Sequence, residues 1–477
     1  MLAAQHRTDI FETAYKKVES LQFLSRCQQQ AAQAKQIKIA SLTFAVAPIS
    51  PWSALATLGG SATRHVYYDS PRPLSESLSV VGVGVAVGCS VAGPMRFAQA
   101  QNFIDLWQQR FMYAKGLGGE RQMGRFFCSA TFADRTTTPT YFEPAYVFIP
   151  KVQVTTSTQA STVTFNHPIS AATDVEAFVA QVYLRLQRLI ANAEVSYPLG
   201  ANRQQPPISK DVNDFENAVT AALRQVQAGA LQKVVLADVM DVQLPQPIDG
   251  VRSLQTLRQN HPDCTVFSVG NGKGQSFIGA SPERLLNITN GQLTTDALAG
   301  TASRSPNPAL DQQMAQALMH SKKERYEHQV VVDFILEQLR SLNLKPSYVK
   351  SPQILQLLHV QHLHTAISAS LQAQPSVQPL NILAKLHPTP AVAGVPRQAA
   401  CDFIRQHETF DRGLYTAPLG WIDTHGNSEF IVGIRSALID GCKARLYAGA
   451  GIVAGSEPKK ELAEIKLKLQ TLLNALV

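Results

Sequence analysis

Cysteine is sparse and unpaired in this chain. The six thiols, Cys27, Cys89, Cys128, Cys264, Cys401 and Cys442, are scattered over 477 residues without a CxxC spacing. That pattern excludes a zinc ribbon and a disulfide-stapled scaffold, and it fits a protein of the reducing cytoplasm. HExxH and the Gly-Lys-Ser/Thr phosphate loop are also missing. The glycine-rich runs Gly82-Val-Gly-Val-Ala-Val-Gly88 and Gly449-Ala-Gly-Ile-Val-Ala-Gly455 have the wrong spacing for a dinucleotide-binding turn. No long apolar run occurs: the longest, Val80 to Met95, is short and rich in glycine, and reads as a strand and turn rather than a membrane span. The opening Met1-Leu-Ala-Ala-Gln-His-Arg lacks the apolar stretch of a secretory signal. The formal charge is +8, but the basic residues are dispersed and not interleaved with aromatics. Nucleic acid is therefore not an expected partner, whereas a small dianionic substrate would gain from the field.

What is present is a chain of 45% hydrophobic and 16% charged residues with no repeat, linker or charge run, long enough for about three domains or for one large interlocked unit. Phe215, Val219, Leu223 and Val226 recur at helical spacing over 211–228, and Gly229 stands where a helix ends in a left-handed residue. Residues 231–237 then read as a strand buried on both faces, with Lys233 carried inward. The pattern predicts one long helix over 308–342, strands at 264–269, 292–297, 361–371, 428–437 and 443–448, and a C-terminal helix capped by Ser456 with Pro458 in its first turn. Long helices and strands that do not alternate regularly predict an α+β fold: large mixed or antiparallel sheets with flanking helices.

Two residues suggest acid–base chemistry. Lys233 heads the apolar run Lys233-Val-Val-Leu-Ala-Asp, and an amine drawn into a buried strand loses its proton more easily. Glu283, in Gly279-Ala-Ser-Pro-Glu283-Arg-Leu-Leu, offers a carboxylic acid, and Leu298-Ala-Gly-Thr301 is a small-residue turn that lets a ligand approach closely. Taken alone, Lys233 reads more readily as a snorkelling side chain at a strand end. Glu327, Glu461 and Glu464 offer oxygen ligands suited to Mg²⁺. Glu464 and Lys468 are also four apart on one helix, where a solvated surface pair is the simpler reading.

With His387-Pro-Thr-Pro-Ala-Val-Ala-Gly394, Glu327-His328, Gly449-Ala-Gly-Ile-Val453 and Glu461-Leu-Ala-Glu464, these segments resemble the chorismate-utilising enzymes and, within them, the isochorismate synthases. The resemblance covers residues 205–477 as the chorismate-binding catalytic region; residues 1–204 match loosely, as a divergent N-terminal part of the same fold. It implies a Mg²⁺-dependent isomerase that adds water to chorismate at C2 and expels the C4 hydroxyl. Lys233 would be the base and Glu283 the acid. Glu327 and Glu464 would hold the metal, with Glu461 alongside through water. Tyr415 and Arg435 would take the enolpyruvyl carboxylate, and Lys468 with the amides of Gly449 to Gly451 the ring carboxylate. Gly300 and Thr301 would line the turn and His362 would stand near the attacked carbon, while His320, His364 and His387 read as structural. Sister enzymes that add ammonia typically lack a lysine matching Lys233. Some carry a nucleophilic lysine at the position of Ala299, so no lysine adduct is expected here. A monomer without a glutaminase subunit is expected, and the N-terminal part resembles the menaquinone- or phylloquinone-pathway synthases. A salicylate synthase, a siderophore-pathway isochorismate synthase and a silent chorismate-binding protein are the alternatives.

Overall fold

Short β-branched and aromatic runs separated by polar turns form 21 strands, which pair into one connected network flanked by 11 helices among the described residues. The computed structural model describes residues 2–60, 62–71, 78–114, 124–135, 141–157, 160–193, 208–211, 214–358 and 360–476. Pairing is antiparallel throughout these residues, apart from a short parallel ladder between Lys38–Val46 and Phe111–Tyr113.

The two halves of the chain share their sheets. Arg64–Ser70 pairs with Thr265–Asn271, and Arg125–Ala130 pairs with Pro418–Asp423. Between the sheets, Tyr68, Phe127 and Phe148 from the first half pack with Phe267, Phe277, Trp421 and Tyr447 from the second. Burying such aromatic faces is the main force joining the halves. The boundary placed at 204/205 lies outside the described residues.

Several elements match the sequence pattern closely. The helix Phe215–Gln227 ends at Gly229, whose φ is +74°, and the Ala230 amide closes the end by donating to the Gln225 carbonyl at 3.0 Å. Three expectations need correction. The helix predicted over 308–342 is two, Pro308–His320 and Lys322–Ser341. At Ser321 the backbone is extended (φ −66°, ψ 116°) and the hydroxyl accepts the Glu324 amide at 3.3 Å. Serine here competes with the helix and caps the second one, although the apolar period runs on across the break. The strand predicted over 428–437 is also two, Ser428–Val432 and Ser436–Asp440, with Arg435 between them at φ +49°. Lastly, the C-terminal helix begins at Pro458, so Ser456 is not its cap; the Ser456 hydroxyl instead accepts the Val453 amide at 3.3 Å.

Candidate active site

The strand Lys233–Gln243 is the axis of the site. Along one edge it pairs with Lys443–Ile452, which sets Gly451 opposite Val235 and Gly449 opposite Ala237; at its start the other edge meets Gly394-Val395. A side chain at Gly394 would fall 2.1 Å from the Lys233 carbonyl, so only glycine permits this approach. Lys233 is 2% exposed, and its Nζ lies 2.8 Å from Oε1 of Glu327 on the helix Lys322–Ser341. The apolar strand therefore delivers the lysine to a carboxylate partner and not into hydrocarbon alone, which corrects the reading from burial. A Cβ at Gly451 would lie 2.9 Å from Glu327 Oε1 and 3.2 Å from Lys233 Cε; the ion pair fills the space that glycine leaves.

Glu283 lies in the turn between Gln275–Ser281 and Arg284–Thr289, and its backbone amide donates to the Ser281 hydroxyl at 3.2 Å. Burial pushes its carboxyl up to about 7; the nearby Lys233 charge opposes that shift, and Asp296 adds to it. Asp296 accepts from Arg284 Nε and from His364 Nε2, both at 2.9 Å. Burial would raise the Asp296 carboxyl, but these donors hold it below the usual range.

Gly300 forms a bulge in the pairing of Gln292–Ser303 with Val360–Ser370, at φ +75°. The bulge turns the Thr301 amide toward Glu324 Oε2, 3.2 Å away, and brings the Thr301 hydroxyl 3.1 Å from His362 Nδ1. His362 Nε2 is buried without a partner, and burial, reinforced by the Arg435 charge, pushes the ring down to about 3. A neutral imidazole with one unused nitrogen suits hydrogen bonding to a ligand. Tyr415 is buried, stacks on Tyr447 with centroids 5.1 Å apart, and carries its hydroxyl 2.8 Å from where a Gly449 Cβ would stand. Lys468 donates to the Gly449 carbonyl at 3.0 Å and pairs with Glu464 at 2.7 Å. The solvated i,i+4 pair is thus formed. The Arg435 guanidinium faces Cys264 Sγ at 3.7 Å, and its backbone carbonyl occupies the space of a Gly279 Cβ.

A model of the chorismate binding enzyme family matches residues 22–477. The chain belongs to this family. It is 34% identical over 446 residues to the salicylate biosynthesis isochorismate synthase of Pseudomonas aeruginosa, covering 92% of this chain and 90% of that one. It is 35% identical to isochorismate synthase MenF of Bacillus subtilis, covering 70% of each. In three dimensions it resembles MenF, the menaquinone-specific isochorismate synthase of Escherichia coli, at a TM-score of 0.75 and 26% identity, covering 96% of this chain and 99% of that one.

In this member of the family, Glu324 and Glu327 on one helix and Glu461 and Glu464 on another lie near enough to feel one another's charge. Burial raises the Glu324 and Glu461 carboxyls, and Glu327 and Glu464 raise both further. Like charges gathered this way suit a hard divalent cation that keeps waters and takes one or two protein carboxylates. Among the described residues no three His, Cys, Asp or Glu side chains converge in metal-binding geometry, and Glu327 and Glu464 each hold a lysine. Sequence reasoning missed Glu324, Asp296 and the buried Arg412–Glu408 pair. Only Glu324 left a signal, three residues before Glu327 on one helix face. The other histidines each have a partner within the fold: His364 holds Asp296, His387 lies between Phe97 and Phe132, and His320 bonds the Gln316 carbonyl. Two cavities, of about 350 Å³ beside Phe97 and Val377 and about 230 Å³ beside Phe277 and Tyr447, include none of the predicted site residues in their walls.

Proposed function

We propose that the protein is an isochorismate synthase, which adds water to chorismate at C2 and releases the C4 hydroxyl. The observation that carries this reading is a buried lysine and a buried carboxyl, close enough to feel each other's charge, beside a glycine-lined strand edge. As the free amine, its own proton given up to solvent, Lys233 takes the proton of the attacking water. Glu283, brought to about 7 by burial, keeps its proton at neutral pH often enough to hand it to the departing hydroxyl. Tyr415 and Arg435 hold the enolpyruvyl carboxylate, His362 turns its unused Nε2 to the ring, and Lys468 with the Gly449–Gly451 backbone faces the ring carboxylate. Glu327 and Glu464, with Glu461 alongside, would hold Mg²⁺, which supplies charge neutralisation and orientation for the ring carboxylate.

Lys233 favours water over ammonia as nucleophile, and Ala299 leaves no amine for a covalent adduct, so isochorismate is the released product. Likeness to MenF over nearly the whole chain supports a role in menaquinone or phylloquinone synthesis. The Pseudomonas relative, 34% identical over 92% of this chain, favours supply to salicylate as the second reading. Six free thiols support a cytoplasmic site, and among the described residues no helix is long and apolar enough to cross a membrane. The test is incubation with chorismate at neutral pH, with Mg²⁺ or with EDTA, and chromatography of the products. A reversible mixture of chorismate and isochorismate that forms only with Mg²⁺ supports the reading. Stoichiometric salicylate and pyruvate, or anthranilate when ammonia is supplied, would refute it.

A further inference from the structure

Arg412 and Glu408 form an ion pair that is almost wholly buried, with 2% and 3% of their side chains exposed, yet neither belongs to the proposed acid–base or substrate-binding set. A guanidinium has five N–H donors, and here every one has an acceptor. Nε donates to Glu408 Oε2 at 2.8 Å and Nη2 to Glu408 Oε1 at 2.5 Å. The second Nη2 hydrogen reaches the Val235 carbonyl at 2.8 Å, while Nη1 serves the Val392 carbonyl at 2.9 Å and the Thr416 hydroxyl at 3.3 Å. Glu408 Oε1 also accepts the Ala237 amide at 2.8 Å. With its donors saturated, Arg412 has none left for a substrate carboxylate.

The bonding partners of the pair lie in three segments. Val235 and Ala237 belong to the Lys233 strand, opposite Gly451 and Gly449; Val392 belongs to the His387–Gly394 turn; Thr416 follows Tyr415. The ladder with Gly394-Val395 covers only Lys233 and Val234. Beyond it the strand edge is satisfied by the Ala393 carbonyl, which accepts the Val235 amide at 2.7 Å, and by this side-chain pair. We propose that the Arg412–Glu408 pair is a positioning device for catalysis: it continues the strand ladder with side chains and so fixes Lys233, the glycine edge and Tyr415 relative to one another. The inference rests on the isochorismate synthase reading for its catalytic consequence, but not for its structural one.

Replacing both partners of a buried ion pair by apolar residues of similar volume avoids the stranded charge that removing one partner leaves, although here the Ala237 amide and the Val235 and Val392 carbonyls lose their partners. The double variant Arg412→Met/Glu408→Met separates a positioning role from a merely structural one. Its melting temperature, its kcat and KM for chorismate, and its backbone amide exchange are compared with those of the unaltered protein. The expected result is a variant still folded at the assay temperature but melting lower than wild type, with faster exchange at Ala237 and at least a tenfold lower kcat per folded molecule. A folded variant with kcat within threefold of wild type overturns the proposal. If the double variant does not fold, Arg412→Lys, which keeps the charge but not the fork, is assayed per folded molecule at low temperature against the same thresholds. If the wild-type protein does not convert chorismate, the functional reading fails separately, and unchanged exchange at Ala237 then overturns the positioning role by itself.

Discussion

Glu283 couples chemistry to stability, and the sign of the coupling is fixed by its burial. Its folded-state carboxyl titrates near 7 against an ordinary value of 4.5. Below pH 4.5 folded and unfolded chains both hold the proton. Between 4.5 and 7 the unfolded chain gives it up first, so stability falls as pH rises and the full cost is present above 7. Glu283→Gln removes that cost. It should melt higher than wild type at pH 8.5 by an amount of order 3 kcal/mol, the product of the shift and about 1.4 kcal/mol per unit, and match wild type near pH 4.5. Thermal unfolding at the two pH values checks this. The same variant should lose turnover by about 10²–10⁴-fold, and wild-type kcat should decline as pH climbs through about 7. His362, pushed down to about 3, should add no inflection between pH 5 and 9. Lys233 stands out in the sequence because a charge within an apolar run is conspicuous, and Glu283 because its segment resembles the family's. Asp296 and Glu408 do not, since what they do depends on partners such as His364 and Arg412, and on strands that meet only after folding.

At the scale of elements, glycines at strand edges divide into those that make room and those that bend the chain. Gly451 does not require a left-handed backbone, but a methyl group there meets the flexible ends of Glu327 and Lys233 at 2.9 and 3.2 Å. Gly451→Ala should therefore fold normally and lose about 10-fold or more in kcat as the ion pair is pushed aside. Gly441, in the turn after Asp440, has φ +60° and open space around it. Gly441→Ala should do the reverse, costing about 1 kcal/mol of stability with kcat unchanged. Paired melting curves and initial rates separate the two cases. Most elements were legible from their apolar period, as in Phe215–Gln227 and Lys233–Gln243. The breaks at Ser321 and Arg435 were not, because periodicity reports which face is buried and is silent on a local hydrogen bond that interrupts the backbone.

For the whole molecule, the shared sheets mean that neither half has a complete core. A fragment of residues 205–477 would expose the edges of Thr265–Asn271 and Pro418–Asp423 and half of the aromatic layer between the sheets. We expect this fragment to be insoluble or to lack a cooperative thermal transition, as judged by circular dichroism, although it contains every proposed site residue. A soluble, cooperatively melting fragment would show that the halves are independent.

The Arg125–Ala130 strand also sets a timetable for biosynthesis. It emerges early from the ribosome, but Leu419, which must lie against Ser129, follows roughly 290 residues later. At about 5–20 residues per second that is a wait of roughly 15–60 s with one strand edge unclaimed. The cell has to keep the nascent chain from pairing with its neighbours on the polysome for that interval, so the yield of active protein should depend on translation speed and on chaperones that shield exposed strands.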